Sequence, residues 1–197
     1  MPPRLDDPTS VAAWVTDQLE DAGIPYAIGG AVALSAHGFP RTTADVDLSV
    51  FAPRDELDIL FDALDRAGCL FDRADARRAI DRMFLFTVRC GRVLVDLFVS
   101  FHPHHHDALE RRVALRCPDG ESRWFLSAED LAIHKLALAR PKDAADLERL
   151  FAATGSDLDL DYIRRWVEAI TEDGDPRRQA LADLISRFAS DTPSRPE

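Results

Sequence analysis

The segment TADVDLSVF carries two aspartates, Asp45 and Asp47, interleaved with Val46, Leu48 and Val50. That alternation belongs to a strand with one buried face, so both carboxylates leave the other face together. At a rise of about 3.3 Å per residue their side chains start roughly 7 Å apart. Like charges so placed repel unless a cation lies between them. A hard divalent ion takes carboxylate oxygens and keeps positions open for phosphate, so this pattern suits a metal–nucleotide platform. A solvated strand face would carry the same two residues.

Two further features bear on that choice. Gly29-Gly30 falls directly between a predicted strand, Ile24 to Ile28, and a predicted short helix from Ala31 to about His37. Small residues there let backbone approach a ligand, and the start of a helix offers free N–H groups to an anion; an ordinary tight turn uses the same residues. Asp96 stands in RVLVDLFVS between Leu94 and Phe98, while Val93, Val95, Leu97 and Val99 form the other face. An acid amid apolar neighbours needs a partner, either an arginine such as Arg41 or a metal shared with Asp45 and Asp47.

The string IGGAVALSAHGFPRTTADVDLSV followed by VLVDLFV resembles the DNA polymerase β-like nucleotidyltransferase superfamily. Its signature is a hydrophobic residue with Gly-Gly or Gly-Ser, a helix, a paired-acid strand and a third carboxylate on a later strand. IGGAVAL and RTTADVDL are especially similar to the AbiEii-like and minimal nucleotidyltransferases of toxin–antitoxin pairs. The match spans residues 24 to 100, with a spacer of 14 residues between Gly30 and Asp45 that is slightly longer than the common pattern.

The resemblance implies an α+β fold with a mixed sheet and flanking helices, followed by a helical region. It also implies Mg²⁺ or Mn²⁺ held by Asp45, Asp47 and Asp96, with an NTP as substrate. Gly29, Gly30, Lys135 and Arg41 would cradle the triphosphate. The acceptor would be a hydroxyl on a tRNA 3′ end, a protein (the cognate toxin or antitoxin among them) or a small molecule. A catalytically silent protein of the same fold is the alternative, which the complete set of three carboxylates opposes. A divalent-metal phosphoesterase also uses aspartates, but the glycine turn ahead of them fits nucleotide transfer better.

Only two of the 24 basic residues are lysines, Lys135 and Lys142. At 100° per residue Lys135 falls within the apolar arc of its helix, beside Leu131 and Leu138, where an ammonium needs an anion. A triphosphate would serve, and so would Asp143 in a structural pair. AEDLAIHKLALARPKDAADL also looks like the helical stretch of AbiEii-like proteins, which implicates Lys135, Lys142, Asp143 and Asp146. His102, His104, His105 and His106 open a polar helix, a poorer prospect for zinc or nickel; His37 and His134 read as helix-packing residues.

These residues need elements to position them. Helices are expected from Ser10 to Ala22, Asp55 to Ala67, Asp75 to Asp81 and His104 to Arg112. A hairpin of Met83–Cys90 and Arg92–Ser100 turns at Gly91, and two weak strands flank the turn at Pro118–Glu121. Everything after Ser127 reads as helical, with Ser127 and Asp130 as a capping box. The expected organisation is a core over 1–126, a helical region over 127–190 closing a cleft, and a disordered tail over 191–197.

With 197 residues, two large domains are excluded. No run is long and apolar enough for a membrane span, and the polar N-terminus lacks the core of a secretory signal, so a cytoplasmic location is expected. Twenty-four basic against 35 acidic residues give a net charge of −11, the wrong sign for non-specific nucleic-acid binding. Cys69, Cys90 and Cys117 are widely spaced without a CxxC pair and are expected to be reduced, mostly buried thiols.

Overall fold

Alternating apolar residues build one six-stranded mixed sheet in the computed structural model, which describes residues 6–99, 102–154 and 157–188. The strands are β1 Tyr26–Ile28, β2 Asp45–Val50, β3 Leu85–Cys90, β4 Val93–Val99, β5 Val113–Arg116 and β6 Ser122–Phe125. Their order across the sheet is β3-β4-β2-β1-β6-β5. β2 runs parallel to β4 and antiparallel to β1, which is itself parallel to β6; the outer pairs β3–β4 and β5–β6 are antiparallel hairpins. The expected mixed sheet with flanking helices is the architecture found.

Flanking it are α1 Pro8–Asp21, α2 Gly30–Ala36, α3 Leu57–Arg66, α4 Arg73–Met83 and α5 Pro103–Arg111. Val46, Leu48 and Val50 of β2 and Val95 and Leu97 of β4 are fully buried, as are Leu60, Phe61 and Leu64 of α3, where Phe61 meets Phe86 of β3 edge-on. The chain divides into two compact units, residues 1–126 and 127–197. The second contains α6 Ala128–Leu138, α7 Pro141–Thr154, α8 Leu160–Ala169 and α9 Pro176–Phe188. Residues 191–197, read from sequence as a disordered tail, lie outside the described residues. No helix among the described residues is long and apolar enough to cross a membrane.

Three boundaries differ from expectation, two of them because the capping side chain differs. Asp7 caps α1, accepting the Ser10 N–H at 2.9 Å, so the helix starts at Pro8, whose missing N–H costs nothing at the first helical position. Asp55 lies in a short 3₁₀ turn, Arg54–Glu56, and α3 follows it. Asp72 caps α4 by accepting from the Asp75 N–H at 2.8 Å, which lengthens that helix beyond the expected Asp75–Asp81.

The cysteines are a correction. Cys69 and Cys90 form a disulfide, and only Cys117 is a free thiol. Leu70 pairs with Arg89 in an isolated antiparallel bridge, which brings the two cysteine Cα atoms to 4.4 Å across 21 residues of sequence. That proximity is within reach of a disulfide and is invisible in cysteine spacing.

Candidate active site

The parallel pairing of β2 with β4 sets Asp47 directly opposite Asp96, with Asp45 opposite Leu94. Adjacent strands lie about 4.8 Å apart, so the Asp47 and Asp96 side chains rise side by side from one face, and Asp45 follows one pleat along it. All three are half-buried, while the intervening Val46, Leu48, Val95 and Leu97 are sealed in the core behind them.

Hydroxyl groups orient two of the acids. Thr43 hydrogen-bonds Asp45 Oδ1 through its Oγ1. Thr87, the residue of β3 directly opposite Asp96, donates its hydroxyl to Asp96 Oδ1 at 2.6 Å. Neither threonine was singled out by sequence reasoning, which expected Asp96 to lean on Arg41 or a metal. The available signal was Thr87 itself, a polar residue in LFTVRC that alternates with buried Phe86 and Val88.

The glycine turn is built against Asp47. Gly29 donates its N–H to Asp47 O at 2.8 Å and caps α2, and Gly30 adopts φ +57°. A Cβ on Gly30 would collide with Asp47 Oδ2, and one on Gly29 would come within 3.3 Å of Leu126 Cδ1. Gly30 therefore needs glycine both for close approach and for its left-handed backbone, whereas a Cβ on Gly29 would ask the Leu126 side chain to give by only a few tenths of an ångström. α2 has only seven residues, so the backbone approach, more than a helix dipole, is what this turn provides. Arg41 lies in the loop between α2 and β2, its N–H donating to Ser35 Oγ at 3.3 Å.

Among the described residues no group of three His, Cys, Asp or Glu forms a ready metal cage. Mg²⁺ requires less: it is commonly held by one or two carboxylates, with water and phosphate completing its shell. Asp47 and Asp96 in register, with Asp45 beside them, are hard oxygen donors of that kind. The histidine run is used otherwise. His102 caps α5 through the His104 N–H at 3.2 Å, while His105 Nδ1 accepts the His102 N–H at 3.3 Å. His37 Nε2 lies 2.9 Å from Leu126 O, a packing contact beside the glycine turn.

In the second unit Lys135 Nζ is 2.6 Å from Asp146 Oδ2 and 3.5 Å from Asp143 Oδ1. The three residues are only 4%, 1% and 2% exposed for Lys135, Asp143 and Asp146. Arg140 closes the cluster, donating Nε to Asp143 Oδ2 at 2.9 Å. Burial alone would raise the Asp143 pKa, but the Arg140 hydrogen bonds and charge, with the Lys135 charge, carry it below the ordinary carboxylate value. Lys142 is exposed on the same helix. A third buried acid, Asp130, accepts from Ser127 Oγ and Tyr162 Oη, each at 2.7 Å, tying the start of α6 to α8.

No protein-family model matches the chain, and no curated protein matches it. Solved structures do. The crystal structure of JHP933 from Helicobacter pylori aligns with TM-score 0.50 and 12% identity, covering 91% of this chain and 88% of that one. The solution structure of the antibiotic-resistance factor ANT(2″)-Ia aligns at 0.49 with 17% identity, covering 92% and 93%. ANT(2″)-Ia in complex with adenylyl-2″-tobramycin aligns at 0.48 with 16% identity, covering 91% and 98%. At these identities the likeness to JHP933 is one of fold.

Proposed function

We propose that the protein is a divalent-metal-dependent nucleotidyltransferase, moving an NMP from an NTP to a hydroxyl acceptor and releasing pyrophosphate. The observation that carries this reading is the packing of Gly30 against Asp47 with Asp96 in register. The three parts of the Gly-Gly, Asp-x-Asp, Asp signature thereby fall on one patch of sheet.

Each residue then has a task. The Gly29-Gly30 turn admits the triphosphate to within backbone distance, and Arg41 in the adjoining loop offers it a cation. Asp45 and Asp47, with Asp96, hold Mg²⁺ or Mn²⁺, which when bound neutralises charge developing on the phosphates. Thr87 occupies Asp96 Oδ1 and leaves Oδ2 to accept the proton of the acceptor hydroxyl. As that proton leaves, the acceptor oxygen bonds to the α-phosphorus and the bond to pyrophosphate breaks on the opposite side. Lys135 and Asp143 are assigned a structural role, because each is already satisfied within the buried cluster of the second unit.

The acceptor is a hydroxyl of a tRNA 3′ end or of a protein, within a toxin–antitoxin pair. The IGGAVAL and RTTADVDL segments support that subclass, and the charge of −11 weighs against a large nucleic-acid footprint. The test is incubation with each α-³²P-labelled NTP and Mg²⁺, alone, with total tRNA and with cell lysate, beside Asp47→Asn. Label in tRNA or a protein band with wild type and none with the variant is expected. No label under any condition would overturn the reading.

A further inference from the structure

A cavity of about 570 Å³ opens on the first unit, and none of Asp45, Asp47 or Asp96 lines it. Small-molecule sites span roughly 300–1,000 Å³, mostly apolar with a few converging polar groups. Here the apolar wall comes from Ala12 and Ala13 of α1, Ile28 of β1, Val32 of α2 and Phe125 of β6. The polar end is the β5–β6 turn, where Arg116, Cys117, Asp119 and Arg123 face it.

Donors are left over at that end. Arg123, 5% exposed, donates Nη1 to Asp119 Oδ2 at 2.7 Å and Nη2 to Asp17 Oδ1 at 2.9 Å, yet its Nε–H is buried without a hydrogen bond. The Cys117 side chain, a weak acceptor, lies near the same guanidinium. Arg116 donates Nε to Gly120 O at 3.3 Å, and no described residue takes its terminal nitrogens. Asp17 and Asp119 outnumber the one charge of Arg123, so Arg116 brings the four groups to neutrality, and its terminal nitrogens are the donors left for a ligand. A buried N–H without a partner is costly and uncommon, and the residue that carries it lines a space large enough for a ligand.

We propose that this cavity binds a small amphipathic organic anion, its apolar rings against the α1–α2 wall and its acidic head at Arg116. In a protein of net charge −11, that selectivity must come from these local donors. The proposal stands whether or not the transferase reading does.

The test is a fluorescence titration with 8-anilinonaphthalene-1-sulfonate, beside N-phenyl-1-naphthylamine, which has the same rings and no sulfonate. Wild type should bind the sulfonate saturably at one site and more tightly than the neutral probe. Arg116→Gln, an exposed change, should weaken sulfonate binding about tenfold or more and leave the neutral probe unaffected, as expected for a charge-assisted contact. Ala36→Phe, which fills the cavity from α2, should abolish both while circular dichroism stays native. Absence of saturable binding to wild type, or equal sulfonate affinity in Arg116→Gln, would overturn the proposal.

Discussion

Gly30 and Asp47 occupy one space: the carboxylate of the strand residue sits where any side chain on the turn residue would begin. The glycine is therefore a steric requirement of the acid. Gly30→Ala should force Asp47 off its present rotamer and strain a residue at φ +57°, at about 1–3 kcal/mol. Nucleotide transfer should fall by more than the folded fraction does. Melting curves and initial rates on the same preparations check this, and a folded Gly30→Ala with wild-type rate would separate the turn from the site.

Asp47 and Asp96 face one another across β2 and β4, so removing one charge relieves repulsion whenever no cation is bound. Asp47→Asn should be neutral or mildly stabilising in EDTA, while the stabilisation that wild type gains from Mg²⁺ and NTP disappears along with transfer. Thermal shifts with and without Mg²⁺–NTP give the comparison. A metal-dependent shift that survives in Asp47→Asn would contradict the assigned metal site.

Alternation in TADVDLSV and VLVDLFV placed three acids on strand faces, because a period of two is a local property of the chain. It did not reveal which acids are neighbours. That depends on strand register, which couples residue 47 to residue 96 across the fold. Thr87 escaped notice for the same reason: its role exists only once β3 is paired with β4. The Cys69–Cys90 bond likewise follows from the Leu70–Arg89 bridge. Helical periodicity did place Lys135 on a buried face, yet left its anion open between Asp143 and a phosphate. The short partner is Asp146, one turn beyond Asp143 on α7.

Thr87 can be tested apart from charge. Thr87→Val keeps shape and β-propensity but frees Asp96 Oδ1. As a positioning change it should lower kcat about tenfold or more while leaving nucleotide KM near wild type, with Thr87→Ser restoring most of the rate. Equal losses in the valine and serine variants would remove the hydroxyl from the account.

The ionic cluster of the second unit makes two linked predictions. Lys135→Met removes the ammonium that Asp146 and Asp143 share in a buried setting, a loss of about 3–5 kcal/mol on the scale of broken buried pairs. Folded variant should still transfer at the normal rate; an unchanged denaturation midpoint with a tenfold rise in nucleotide KM would instead return Lys135 to the phosphates. The acid limb follows from Asp143. Its pKa lies below its unfolded value of 3.8, so its contribution is fully present above about pH 4 and is lost as pH falls through the lower, folded-state pKa. Asp143→Asn should therefore be less stable at neutral pH and show a shallower fall in stability below pH 4, measured by urea denaturation across pH 2.5 to 7. Parallel curves for wild type and variant over that range would show that Asp143 is not the group whose protonation weakens the helical unit.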